Sequence, residues 1–409
     1  MLSKNIMRIA TLRIRLMALL GQSIFTWDVK TQKVVPSSVY KRFSWAYTMS
    51  GGFVFAAIHS LRIYQVLTDT EDEDGFDVRK FATLVIEGGE VIITIVISLL
   101  VILILDRRDT IIYTYNQIFL YNDVLLDMMT SRNLVQDAAQ RRFTRKAEII
   151  SFVVCFLTAV FPFLLLVVVL HPLEPNNVLL REWFELELKP ENIHFGHIVL
   201  VPLFLLAVYG AGNAIFIFGF LACAYCFIAI PFLNGISPVS IQSMKGSRRC
   251  TLNTRKHGVL EDMEIVNMYR TQQHLNILVN KVFASALLSL HHVACLAAAV
   301  SLAYFGIRFQ SMLDDAGVLG YTVVFGGMSL PLIIQFLESY LLGQLVDISQ
   351  NFRETGVKLM PRKMILGTFA KSCQKLYVEE AYPFFKVRRE TFFEFCEQAV
   401  DHTINLLLW

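Results

Sequence analysis

The residues best placed to do chemistry lie in the last stretch of the chain, RRETFFEFCEQAVDHTINLLLW. On a helix turning 100° per residue, Glu390, Glu394, Glu397, Asp401, Asn405 and Leu408 fall within an arc of roughly 80°. Four of these six positions are acidic and the fifth is an amide. The opposite side presents Phe392, Phe395, Cys396, Ala399, Val400, Thr403, Leu406 and Leu407. Carboxylates at membrane depth are costly, so they face a water-filled cavity or a partner. With several copies of the helix around one axis, each position of the stripe becomes a ring. Rings of acids concentrate cations, and narrow amide or apolar positions beyond them make a gate. The simpler alternative is an amphipathic helix docked on protein, with its acids in water.

Other groups that could carry chemistry have plainer readings. Glu87 and Glu90 sit in an apolar run, where an acid is a functional candidate by default; a structural pair with a donor from another helix is the simpler expectation. His291-His292 reads as a helix contact rather than a metal site. Cys223-x-x-Cys226 has no second ligand pair beside it, so both read as small buried side chains. No metal site and no cofactor are expected. The sequence contains no Gly-rich phosphate loop, no H-E-x-x-H and no nucleophile elbow, so no enzyme is expected. A net charge of +3 is not the footprint of a nucleic-acid binder.

The elements that must position these groups are apolar helices. Of 409 residues, 55% are hydrophobic and 17% charged, and the mean hydropathy is +0.52. Soluble domains carry about 25% charged residues, so the balance indicates a membrane protein. Six runs approach or exceed the roughly 20 residues that cross a bilayer. They are Phe43–Leu61 (extending to Leu67), Phe81–Leu105, Ile149–Leu170, Ile198–Leu233, Val282–Ile307 and Ala316–Leu337. The fourth would be about 54 Å long as a helix, beyond a ~30 Å hydrocarbon core, so its far end projects past the membrane. The fifth and sixth also continue as amphipathic helices.

Loop charges set the orientation. The segment before the first run and the links between runs two and three and runs four and five are rich in Arg and Lys. The alternate loops hold TDTEDED and Glu174, Glu182, Glu185, Glu187 and Glu191. The N-terminus is therefore expected in the cytosol, with MLSKNIMRIATLRIRLMALLGQ an amphipathic lead-in rather than a signal peptide. A seventh span, the striped helix, ends outside with Trp409 as an interfacial anchor. Lys386, Arg388 and Arg389 form a basic collar at its cytosolic start. The expected fold is thus all-α, with seven transmembrane helices, a cytosolic N-terminus, an extracellular C-terminus and a cytosolic anchor built from extensions of helices 4–7. That orientation opposes a G-protein-coupled receptor. The absence of outer-loop cysteines and of any N-x-[ST] sequon argues the same way. A secondary transporter is the competing class, although no matching halves with broken helices stand out.

PFFKVRRETFFEFCEQAVDHTINLLLW resembles the C-terminal helix of the insect odorant receptors: paired aromatics Phe384-Phe385, a short polar linker, then Glu390-Thr391-Phe392 and an amphipathic run. ESYLLGQLVDISQNF resembles that family's sixth helix end, with Tyr340, Gly343, Val346 and Ser349 in matching places. The likeness covers roughly the last 70 positions. It implies an odorant-gated cation channel subunit in a tetramer, usually with an obligate co-receptor subunit. It also implies an anchor of interlocked helices five to seven, and a last helix whose final part lines the pore. The gate position falls on Asn405, where the co-receptor carries an apolar residue, so co-receptor copies are expected to supply the constriction. Arg388 departs from the small polar residue usual in the family. Gustatory receptors of the same superfamily are the near alternative, but the tail HTINLLLW lacks their Thr-Tyr and Gln-Phe.

The resemblance divides the chain into a cytosolic segment 1–42, helices one to six over 43–343, an anchor segment 344–382 and the pore helix 383–409. It also places a ligand pocket in the outer half, among helices two, three, four and six. A volatile apolar ligand wants apolar walls with few polar groups. The candidates there are Val85, Thr158, Phe161, Leu205, Tyr209, Tyr321, Val324, Phe325 and Met328, with the hydroxyls of Tyr209 and Tyr321 available to an ester, alcohol or aldehyde oxygen. The expected partners are a co-receptor subunit, a small volatile ligand and membrane lipid, with no nucleic acid.

Overall fold

A long apolar segment in hydrocarbon can satisfy its backbone groups only as a helix or a closed barrel, and helix dominates this chain. In a computed structural model the protein is described over residues 2–19, 23–68, 78–131, 142–153, 155–156, 216–217, 219–234, 262–283, 287–308, 310–359, 372–378 and 387–408, with residues 213 and 368 besides. The order is α1 (Lys4–Leu19), a hairpin of β1 (Phe25–Asp28) and β2 (Lys33–Pro36), then α2 (Val39–Thr68), α3 (Val78–Asp106) and α4 (Arg108–Ser131). There follow α5 (142–153), α6 (Gly219–Asn234), α7 (Asp262–Phe283), α8 (Leu287–Arg308), α9 (Gln310–Leu359) and α10 (Thr391–Leu408).

Among the described residues, three stretches are long and apolar enough to cross a membrane: Glu87–Asp106, Leu288–Arg308 and Val324–Glu354. They fall in the second, fifth and sixth sequence runs. The fifth run, expected from Val282, has Val282 and Phe283 buried at the described end of α7 and continues in α8 from Leu287, with residues 284–286 outside the described residues. The sixth run, expected over Ala316–Leu337, lies inside α9, whose 50 residues make a rod of about 75 Å. Pro331 sits within that rod without ending it; its missing N–H removes one rung of the helical ladder. The first run lies in α2 and the seventh span in α10, while the third and fourth are described only in part, in and beside α5 and α6.

The membrane helices pack as a bundle, α2 on α3, α3 on α8, and α8 on α9, with α10 laid against α8 and α9. At Gly89 a Cβ would overlap the Ser301 hydroxyl, so α3 and α8 approach closely there.

The largest buried cluster lies where α1, the hairpin, α4, α6 and α7 meet. Just before α1 Leu2 is buried, and α1 buries Ile6, Ala10, Ile14 and Met17 at helical spacing. The hairpin closes over a turn in which the Thr31 hydroxyl and the Lys30 amide donate to Asp28, holding its carboxyl below the usual carboxylate range. It stands on α4 through reciprocal bonds, Asn116 Nδ2 to Val34 O and Val34 N to Asn116 Oδ1, both 2.9 Å, and through Trp27 edge-on to Phe119. Arg13 is buried, yet it donates to Asn213 Oδ1 at 2.8 Å and lies over the Phe216 ring. α6 is buried along nearly its whole length, which explains why its sequence is apolar on every side.

Candidate functional site: the last helix and its seat

α10 begins at a compact turn. Arg388 N donates to Thr391 Oγ1 at 3.0 Å, and the Phe393 and Glu394 amides donate to Glu390 O. The turn is pressed against α9 at Gly343, where a Cβ would lie 2.6 Å from Arg389 N and 3.1 Å from Arg388 C. The second partner in each contact is backbone, so no rotamer change relieves it. Arg389 pairs with Asp347 at 3.0 Å and lies over the Tyr340 ring. Phe392 meets Phe336 edge-on.

Beyond the turn, the helix buries only a narrow face. Phe395 is fully buried against Cys295 and Ala299 of α8, with His292 edge-on at 5.0 Å, and Thr403 is buried further along. Phe392, Cys396, Ala399, Leu406 and Leu407 are half-buried. Glu390, Glu394, Glu397, Asp401, Asn405 and Leu408 are all exposed on the free side, as one continuous stripe. Val400, assigned from the sequence to the docked face, is 56% exposed. It joins Phe393 and Ile404 as an apolar flank directly beside the acids. The docked face is narrower than the apolar arc of the sequence, because α8 and α9 cover only the side around Phe395.

The pocket candidates are only partly placed. Val85 on α3 is half-buried; on α9, Tyr321 and Met328 are half-buried, Val324 is buried, and Phe325 is 52% exposed and stacked on Tyr321. Val324 packs against Gly306 of α8, a helix contact. Thr158, Phe161, Leu205 and Tyr209 lie outside the described residues, as do Trp409, Lys386 and the Glu90 side chain.

Glu87 has the interhelical donors expected of it, and there are two. His59 Nδ1 and Arg62 Nε of α2 meet its two carboxylate oxygens, the latter at 3.0 Å, and all three residues are buried. A paired, buried carboxylate is the arrangement that low-dielectric surroundings tolerate. His59 and Arg62 escaped notice in the sequence, although polar residues at this spacing in an apolar run were the available signal. His291 is paired with Glu338 of α9 at 3.4 Å and lies 3.6 Å from the Cys295 sulfur, an interhelical contact. Cys223 and Cys226 are buried in α6 as free thiols, and among the described residues no three potential ligands cluster for a metal.

A second constellation holds the chain leading to α10. Residues 373–378 form neither helix nor strand, and their backbone is gripped from two sides. Asn276 and Asn280 of α7 both donate to Tyr377 O, at 3.1 and 2.9 Å, and Tyr269 Oη donates to Gln374 O at 2.8 Å. From α9, Ser349 Oγ accepts from Leu376 N at 3.1 Å.

No protein-family profile matches the sequence, and neither does any curated protein. Solved structures do share its architecture from end to end. The olfactory receptor OR5 of the insect Machilis hrabei, in complex with eugenol, superposes with a TM-score of 0.57 at 13% identity over 98% of both chains. The chain has the insect olfactory receptor fold. A second structure of the same receptor gives a TM-score of 0.53 at 12% identity, over 98% of this chain and 96% of that one. At such identity the likeness fixes the course of the chain, not its ligand. Within this fold α10 is the C-terminal helix, and its free stripe is the feature left without cover.

Proposed function

We propose that the protein is a subunit of a ligand-gated, non-selective cation channel of the cell membrane, opened by small volatile odorants. The observation that carries this is the free side of α10: acids at Glu390, Glu394, Glu397 and Asp401 beside exposed Phe393, Val400 and Ile404. A charged residue turned to lipid at mid-helix costs about 2.5–3.5 kcal/mol on the insertion scale, so several together cannot face hydrocarbon. Water or another subunit must cover them. Four copies around one axis satisfy both strips at once, with the apolar flank against the neighbouring helix and the acids on an aqueous path. Asn405 and Leu408 then stand at the narrow outer end. An amide is a weak plug, which favours a heteromer in which a co-receptor subunit supplies the apolar constriction.

The fold supports this reading, since the OR5 structures are of an olfactory receptor and one holds eugenol, a small volatile phenol. The ligand would lodge in the outer half of the bundle, around Val85, Tyr321, Val324, Phe325 and Met328, with Thr158, Phe161, Leu205 and Tyr209 from the facing helices. Residues 344–382 would serve as the cytosolic anchor.

The test is coexpression with an odorant co-receptor in a heterologous cell, recording current over a broad odorant panel. The expected result is odorant-evoked inward cation current. Silence with confirmed surface assembly, or a monomer in place of a tetramer, counts against a channel and returns the transporter reading.

A further inference from the structure

A small cavity lies where the seat of α10 meets α8 and α9. It is lined by Leu288 and His292 of α8, Gln335, Glu338 and Ser339 of α9, and Thr391 at the start of α10, among others. Its volume of about 10 Å³ for a water-sized sphere matches what a single buried water needs, on the order of 10–15 Å³, together with two to four polar partners. Gln335 is 3% exposed, and its Nε2 has no hydrogen-bond partner among the described residues. A buried donor left unmade is costly, and native structures satisfy such groups with protein or water. The rest of the wall is suited to complete the shell. The Glu338 carboxylate is an acceptor whose side chain is 16% exposed, and the Ser339 hydroxyl stands beside it. His292, across the cavity, stands within reach of the side chains of both Gln335 and Gln398, the latter on α10.

We propose that this cavity is a binding site for one structural water, which accepts from Gln335 Nε2 and donates to the Glu338 carboxylate. The water completes a polar line, Glu338, water, Gln335, His292 and Gln398, running from α9 through α8 into α10. The three-helix junction is thereby given one defined register, and α10 is seated by a polar bridge as well as by Phe395. The site rests on the fold and the packing alone, so its test is independent of whether the protein conducts ions.

The test is a structure of the full chain in its assembled state, in lipid nanodiscs, at a resolution that shows ordered water. The expected result is a peak within hydrogen-bonding distance of both Gln335 Nε2 and a Glu338 oxygen. A bare cavity in a map that resolves other buried waters overturns the proposal. Thermal unfolding of Gln335→Met, Glu338→Gln and the double variant gives an independent reading. A shared water couples the two side chains, so the double variant should lose clearly less melting temperature than the sum of the single losses. Additive losses overturn the bridge. Should either variant fail to fold, the wild-type map decides alone.

Discussion

The segment 373–378 and the helix α10 are close in the chain, yet they are held in opposite ways. The segment is clamped on two sides, with bonds from Tyr269, Asn276, Asn280 and Ser349 reaching its backbone and with Cys373, Leu376 and Val378 buried. α10 is held on one side, by a tight turn at Gly343 and a narrow face around Phe395, and its other side is free. The segment 373–378 is held by contacts within this chain, whereas α10 keeps one side exposed. Local stability is expected to follow the same division, high where contacts are dense and low where they are one-sided.

The largest effect is expected at the joint between the two. Gly343→Val places side-chain atoms into the Arg388–Arg389 backbone and should unseat α10. Assembled protein at the cell surface should fall to background in size-exclusion profiles, while residues 373–378 keep their protection from proteolysis. Phe395→Ala should cost about 3–5 kcal/mol of folding stability, as for a buried aromatic, read as a lower melting temperature. In the clamp, Asn276→Leu with Asn280→Leu leaves Tyr377 O without its two donors and should cost about 1–3 kcal/mol. Either single change should cost less, since one donor remains. The stripe should behave in the contrary manner. Glu394→Gln and Asp401→Asn should leave the melting temperature unchanged and lower the preference for cations over anions in reversal-potential measurements. A large stability loss there would mean that α10 is buried in a way the comparison denies.

The smallest effect is a pH dependence in the clamp. Burial pushes the Cys373 thiol from 9.0 up to about 12. The folded state holds that proton more tightly than the unfolded chain, so the associated stability is full below pH 9 and lost as the pH climbs toward 12. Chemical denaturation at pH 8 and pH 10.5 should show the loss, and Cys373→Ser should remove it.

Much of the membrane part was legible in the sequence, because a run of about twenty apolar residues has only one way to satisfy its backbone. The acid stripe was legible for a related reason: the 3.6 period of Glu390, Glu394, Glu397 and Asp401 survives in the structure as one exposed line. Periodicity gave no warning that Val400 would join Phe393 and Ile404 outside, since how much of a helix is covered depends on its neighbours. The hairpin around Asp28 was missed because its strands have only four residues each, below the length at which alternation separates from chance. The link after the second run was read only for its charges, yet it forms α4, whose Tyr115 and Phe119 receive the hairpin. Gly343 was noted by resemblance; the backbone contact that requires glycine was visible only in the fold.

The clamp on residues 373–378 has a consequence for how the sequence can change. Nearly every bond into the segment ends on a carbonyl or amide, at Gln374, Leu376 and Tyr377, and these are groups that any residue supplies. The exposed side chain of Gln374 is therefore open to substitution, while Asn276, Asn280, Tyr269 and Ser349, far away in sequence, are not. A chain built this way can drift far in its letters while keeping its path. Relatives recognisable by shape but scarcely by sequence are what such a connection permits.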